Sequence, residues 1–113
     1  MSELHNKTCV PCRGGEPPLS AERIEKHLEQ VDEWELIEVK GVKRIRRRFR
    51  FPDFASALAF TTEVGRLAEE QGHHPRIVTQ WGAVTVDWWT HAIGGLHEND
   101  FIMAAKTDRL YAS

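Results

Sequence analysis

Between Val42 and Gln71 the hydrophobic pattern changes period once, from two to about 3.6 residues, and Pro52-Asp53 marks the change. No other feature constrains the fold as much. An alternating segment needs a half-buried sheet, and a helical stripe needs an apolar surface to lie on. Arg44, Arg46, Arg48 and Arg50 fall on one side of the alternation, and Ile45, Phe49 and Phe51 fall on the other together with Arg47. Pro52 has no amide hydrogen with which to continue a ladder, and Asp53 is a good helix N-cap. From Phe54 to Gln71 the spacing predicts a helix with Phe54, Leu58, Thr61, Val64 and Ala68 on one face, flanked by Phe60 and Leu67. Gly72 supplies the left-handed residue that ends a helix, and Pro75 prevents it from resuming.

The flanking segments complete the pattern. Ser20 is an N-cap for a short helix over 20–31, whose apolar positions are Ile24, Leu28 and Val31. Residues 34–39 read as a strand, and a turn at Gly41 joins them to the Val42–Phe51 strand as a hairpin. A second hairpin pairs 76–80 with 83–91 through a turn near Trp81-Gly82. Residues 92–96 form a loop, and Glu98, Asn99 and Asp100 open a last helix that is acidic in its first turn, as the helix dipole prefers. The succession α-β-β-α-β-β-α implies an α+β fold, a four-stranded antiparallel sheet with helices on one face. Residues 1–18 read as an irregular leader rich in glycine and proline, and 19–113 as a single domain.

Composition narrows function by exclusion. The 113 residues carry 15 Lys and Arg against 17 Asp and Glu, so no global field recruits nucleic acid or anionic lipid. No run approaches the roughly 18 apolar residues of a membrane span, and the polar start has no signal-peptide core. Two cysteines, Cys9 and Cys12, are too few for a disulfide framework and point to a reducing, cytoplasmic setting. Six histidines in so short a chain are the unusual feature.

The imidazoles concentrate where the backbone is restrained. Gly72-His73-His74-Pro75 holds two of them between a helix stop and a proline. Adjacent residues in extended backbone point opposite ways, so His73 and His74 serve two different atoms of a ligand more readily than one ion. Glu69 lies one helical turn before His73, where it could hold that ring in one tautomer. His91 ends the last strand, on the same face as Asp87 and Trp89 and just before a glycine pair. His5, His27 and His97 have structural readings in the leader, on a helix and near a helix start.

Glu69-x3-His73-His74-Pro75, then Trp81, His91 and Asp100 at fixed spacing, resembles the signature of the pterin-4a-carbinolamine dehydratases. Phe49-Arg50-Phe51-Pro52-Asp53-Phe54, Thr90-His91 and Gly95-Leu96-x3-Asp100 are similar to that family too, and the likeness runs from about residue 20 to the C-terminus. The leader Cys-Val-Pro-Cys-x-Gly-Gly-x-Pro-Pro-Leu is similar to that of some bacterial members. The resemblance implies dehydration of a 4a-hydroxytetrahydropterin to a quinonoid dihydropterin, in tetrahydropterin recycling, with no metal or other cofactor. It implies His73 and His91 as the acid/base pair, with His74 binding and orienting the pterin. Which imidazole protonates the hydroxyl stays open. Glu69, Thr90 and Asp100 would support the site, and Trp89 would narrow the pocket or stack on the pterin. Gly72 and Asn99 depart from the acidic and basic residues often found there. The resemblance also implies a homodimer or homotetramer. The apolar coverage of the 54–71 helix by Phe54, Leu58, Phe60, Val64 and Leu67 gives such an assembly a physical motive.

Two other function classes compete. A metal hydrolase could use His73, His91 and His97 with Glu69 or Asp100, but no His-x3-His or HExxH arrangement sets two ligands on one helix face. A non-catalytic interaction module could use the six basic residues between Lys43 and Arg50, and animal relatives in the resembled family act as transcriptional coactivators. The plainer reading of that row is a solvated face that protects a sheet edge. Cys9 and Cys12 cannot complete a zinc site alone, although His5 could add a ligand.

Overall fold

The computed structural model describes residues 4–9 and 17–112. Strands β1 (Glu35–Val39), β2 (Val42–Arg50), β3 (Arg76–Gln80) and β4 (Ala83–Trp88) form one antiparallel sheet in the order β1-β2-β4-β3. Helices α1 (Ala21–Leu28), α2 (Phe54–Gln71) and α3 (Glu98–Ala112) interleave with them in the expected α-β-β-α-β-β-α order. The β1–β2 hairpin closes on Lys40 and Gly41, both at positive φ (52° and 80°), the two-residue turn whose twist matches the strands it joins.

The switch at Pro52-Asp53 is where β2 hands over to α2, and Asp53 accepts a hydrogen bond from the Ser56 amide at 2.8 Å. Ile45 and Phe49 on β2 meet Val84, Val86 and Trp88 of β4 on the inner face, and all five are buried. Arg47 shares that face. Its guanidinium lies over the Phe49 ring at 4.6 Å and pairs with Asp108 of α3 at 2.7 Å. On the opposite face Asp87 is fully buried beneath Arg46, which donates to it at 2.6 and 2.8 Å, and Arg44 at 3.1 Å. Burial opposes the charge on Asp87, yet these two arginines outweigh it and hold the carboxyl below its usual range.

Four expectations need correction. The first helix stops at Leu28, because i→i+3 bonds from Gln30 to His27 and from Val31 to Leu28 tighten the chain and sink Val31 into the core. The buried face of α2 is Ala57, Phe60, Val64 and Ala68, while Phe54 and Leu58 remain 45% and 50% exposed. β4 ends at Trp88, and Thr90 pairs with Gly95 around a 3-10 turn at His91–Ile93. Finally, β2 is a central strand paired on its β1 side from Val42 to Arg46, so Arg44 and Arg46 protect no sheet edge and only Arg48 and Arg50 lie past that pairing.

Helix α3 is buried on nearly all sides, with Asn99 to Ala105 and Thr107 enclosed. A helix covered all round needs more than one apolar neighbour. The sheet supplies one, and a 3-10 turn at Leu4–Asn6 supplies another, with Leu4 in the core and Lys106 donating to the His5 carbonyl at 3.0 Å. Residues 10–16 of the leader, Cys12 among them, lie outside the described residues. Among those described, no helix is long and apolar enough to cross a membrane.

Candidate active site

Gly72 ends α2 at φ 65° and ψ 30°, and its amide and that of His73 both return to the Ala68 carbonyl. This left-handed stop turns the chain so that His73 points inward and His74 outward. The His73 ring stacks on Trp88 at 5.7 Å with 8° between planes, and its Nε2 lies 2.6 Å from Asp100 Oδ1. Only 11% of the His73 side chain is exposed, and none of Asp100.

Asp100 comes from the first turn of α3. Its second oxygen accepts from Thr90 Oγ1 at 2.8 Å and from the His97 amide at 2.9 Å. A carboxylate with such donors around it is an acceptor, so His73 donates to it through Nε2–H. Thr90 reaches Asp100 because the Thr90–Gly95 bridge and Gly94, at φ 62°, fold the segment back on itself.

The expected partnership of Glu69 with His73 is not found. Glu69 Oε2 instead accepts from His74 Nε2 at 2.5 Å, in a surface pair exposed by 77% and 60%. His73 turns away from the helix face that carries Glu69, so its orienting carboxylate comes from α3. His91 leaves the strand for the 3-10 turn, where it is exposed, and its ring lies 4.5 Å from Trp89. Trp89 in turn carries the Arg44 guanidinium at 3.8 Å.

The candidate residues therefore fall into three groups. His73, Thr90 and Asp100 share one hydrogen-bond network. Trp89 and His91 form an adjoining pair on either side of Thr90 in the chain. Glu69 and His74 form the surface pair. Trp88 and Arg44 had no place in the site read from sequence. Trp88 could have been found from its inner-face position on β4, whereas Arg44 required the β2–β4 register. His97, the ligand candidate of the hydrolase reading, accepts from the Asn99 amide through Nδ1 at 3.0 Å. Among the described residues no three His, Cys, Asp or Glu side chains converge as a metal ligand set. The chemistry on offer is the holding and moving of protons by imidazoles, one of them oriented by a buried carboxylate.

The family profile described as pterin 4 alpha carbinolamine dehydratase matches residues 17–110. A protein of Chlorobium limicola, provisionally named pterin-4-alpha-carbinolamine dehydratase, is 55% identical over 111 residues, covering 98% of each chain. One from Syntrophotalea carbinolica with the same provisional name is 54% identical over 110 residues, covering 97% of this chain and 98% of its own. Among solved structures, a transcriptional coactivator/pterin dehydratase from Brucella melitensis superposes with a TM-score of 0.75 at 31% identity, over 83% of this chain and 98% of that one. A pterin dehydratase-like protein identified as a RuBisCO assembly factor in the alpha-carboxysome gives a TM-score of 0.61 at 27% identity, over 72% and 92%.

Proposed function

This chain belongs to the pterin 4 alpha carbinolamine dehydratase family, and we propose that it eliminates water from a 4a-hydroxytetrahydropterin to give the quinonoid dihydropterin, in tetrahydropterin recycling. The C4a–O bond breaks, an acid delivers a proton to the departing hydroxyl, and a base takes the proton from N5. The electron pair of the N5–H bond closes the C4a=N5 double bond. One proton enters and one leaves, no electrons are transferred, and water is the by-product. The imidazole pKa of about 6.5 suits both halves near neutral pH.

The observation that carries this reading is the His73–Asp100 hydrogen bond of 2.6 Å, buttressed by Thr90. It presents one imidazole nitrogen of fixed tautomer for proton transfer. His91, on its exposed turn beside Trp89, is the second proton-transfer group. His74, steadied by Glu69, binds and orients the pterin at the outer side of the site, and Trp89 offers an aromatic face. The reaction as written needs no redox step, so the chain's own imidazoles suffice. The deciding experiment is turnover of 4a-hydroxytetrahydrobiopterin by the wild type and by His73→Ala and His91→Ala. Each variant is expected to lose about 10²–10⁴-fold in dehydration rate with the fold intact. Full activity in both would remove the acid/base assignment.

A homodimer or homotetramer belongs to the same reading, supported by the exposure of Phe54 and Leu58 on α2. A second reading, an interaction module for an anionic partner, is favoured by one observation. Arg48 and Arg50 are both exposed, on the side of β2 that also carries Arg44 and Arg46. Salt-sensitive partner binding lost in Arg48→Glu with Arg50→Glu would support it.

A further inference from the structure

The segment before the family match has a place in the site. The family profile begins at residue 17, yet residues 4–9 touch both elements that carry the His73–Asp100 pair. The Cys9 amide donates to Gln71 Oε1 at 3.1 Å, two residues before His73 at the exit of α2. Cys9 Sγ lies 3.8 Å from the carbonyl oxygen of Asn99, immediately before Asp100 at the start of α3. Lys7 pairs with Glu98 at 3.0 Å in the same turn of α3, and this interaction, helped by His27, outweighs burial and leaves the Glu98 carboxyl below its ordinary range. Further back, the His5 carbonyl accepts from Lys106, and Leu4 is 3% exposed within the core.

A chain anchored at Leu4 and Lys106 therefore runs along α3 and ends on the gap between α2 and α3. His73 and Asp100 are 27 residues apart, and their hydrogen bond depends on the spacing of those two helix ends. Hydrogen-bonded catalytic pairs are sensitive to displacements of an ångström. We infer that residues 4–9 act as a positioning strap for the His73–Asp100 pair, with Gln71 as the side chain through which the strap sets the exit of α2. This inference rests on the proposed acid/base role of His73 for its kinetic consequence, but not for its structural one.

The test is Gln71→Ala in the full chain, which removes the acceptor of the Cys9 amide and leaves every imidazole in place. Two quantities are read: steady-state dehydration of 4a-hydroxytetrahydrobiopterin, and the NMR resonance of the His73 Nε2 proton held on Asp100. The expected result is a kcat lowered about tenfold with KM within about twofold, together with a shifted or broadened His73 resonance. Gln71→Glu, which keeps an acceptor oxygen, should restore most of both. A wild-type kcat and an unmoved His73 resonance in Gln71→Ala would overturn the strap, as would a loss confined to KM or to thermal stability. A kcat loss without movement of the His73 resonance would overturn it too. If the wild type turns over no pterin carbinolamine while Gln71→Ala still moves the resonance, the dehydratase reading fails and the strap stands.

Discussion

His73 and Asp100 meet across 2.6 Å from opposite ends of two helices, and the carboxylate they share with Thr90 is wholly buried. The relationship makes Asp100 the residue that decides which nitrogen of His73 carries its proton. In Asp100→Asn the new amide can offer N–H to His73 Nε2 and favour the wrong tautomer. The expected outcome is a kcat lowered by about 10²-fold or more, with KM changed far less. Steady-state kinetics beside a far-ultraviolet CD spectrum checks it, and an unaltered kcat would remove Asp100 from the mechanism.

Glu69 and His74 should behave differently, because both are exposed. Glu69→Ala is expected to cost no more than about 1 kcal/mol in stability, since exposed pairs contribute little. Its kinetic effect should appear in KM, through His74, with kcat within about threefold of wild type. Urea denaturation and a substrate titration read the two quantities separately.

Asp87 governs acid tolerance. Its folded pKa is depressed, so the stability it contributes is present above the unfolded carboxylate value of about 3.9 and disappears as pH falls through the lower folded value. Asp87→Ala leaves Arg44 and Arg46 without their acceptor and is expected to cost about 2–4 kcal/mol at pH 7. That is below the value for a fully enclosed pair, because Arg46 is one third exposed. The difference from wild type should shrink on acidification below pH ~4, and a difference that grew would contradict the sign. Denaturant unfolding at a series of pH values measures it.

Gly72 is expected to resist substitution for a conformational reason alone. A Cβ there meets nothing within 4 Å, but the residue sits at φ 65°. Gly72→Ala should lower stability by about 1 kcal/mol, measured as a fall in Tm of a few degrees. Restored wild-type stability in that variant would show that the left-handed stop is not needed.

Phe54 and Leu58 set the last expectation. Phe54→Glu with Leu58→Glu should shift the protein toward a monomer in light scattering at micromolar concentration without lowering Tm, since neither side chain belongs to the core. A wild type that is already monomeric would refute the oligomer.

Local chemistry was enough for the elements of this fold. The period change at Pro52-Asp53, the Asp53 cap, the Gly72 stop and the turn at Gly41 each act over a few residues, so they are visible in a linear reading. The site was legible as a set of residues and not as a set of partnerships. Glu69 lies one turn from His73 in sequence, yet it bonds His74, because the left-handed Gly72 swings His73 into the core. Arg47 was placed on the inner face by alternation, but nothing in the linear pattern named Asp108, 61 residues away, as its acceptor. His91 left the strand because the Thr90–Gly95 bridge turned the chain back toward Asp100.

The sequence by itself determined the order of helices and strands, the inward side of the sheet and the three imidazoles worth watching, since periodicity and backbone stops are local properties. Only the tertiary structure decided that Asp100 holds His73, that β2 is central and that Leu4 covers α3. Those depend on which surfaces meet once α3 has been enclosed on nearly every side.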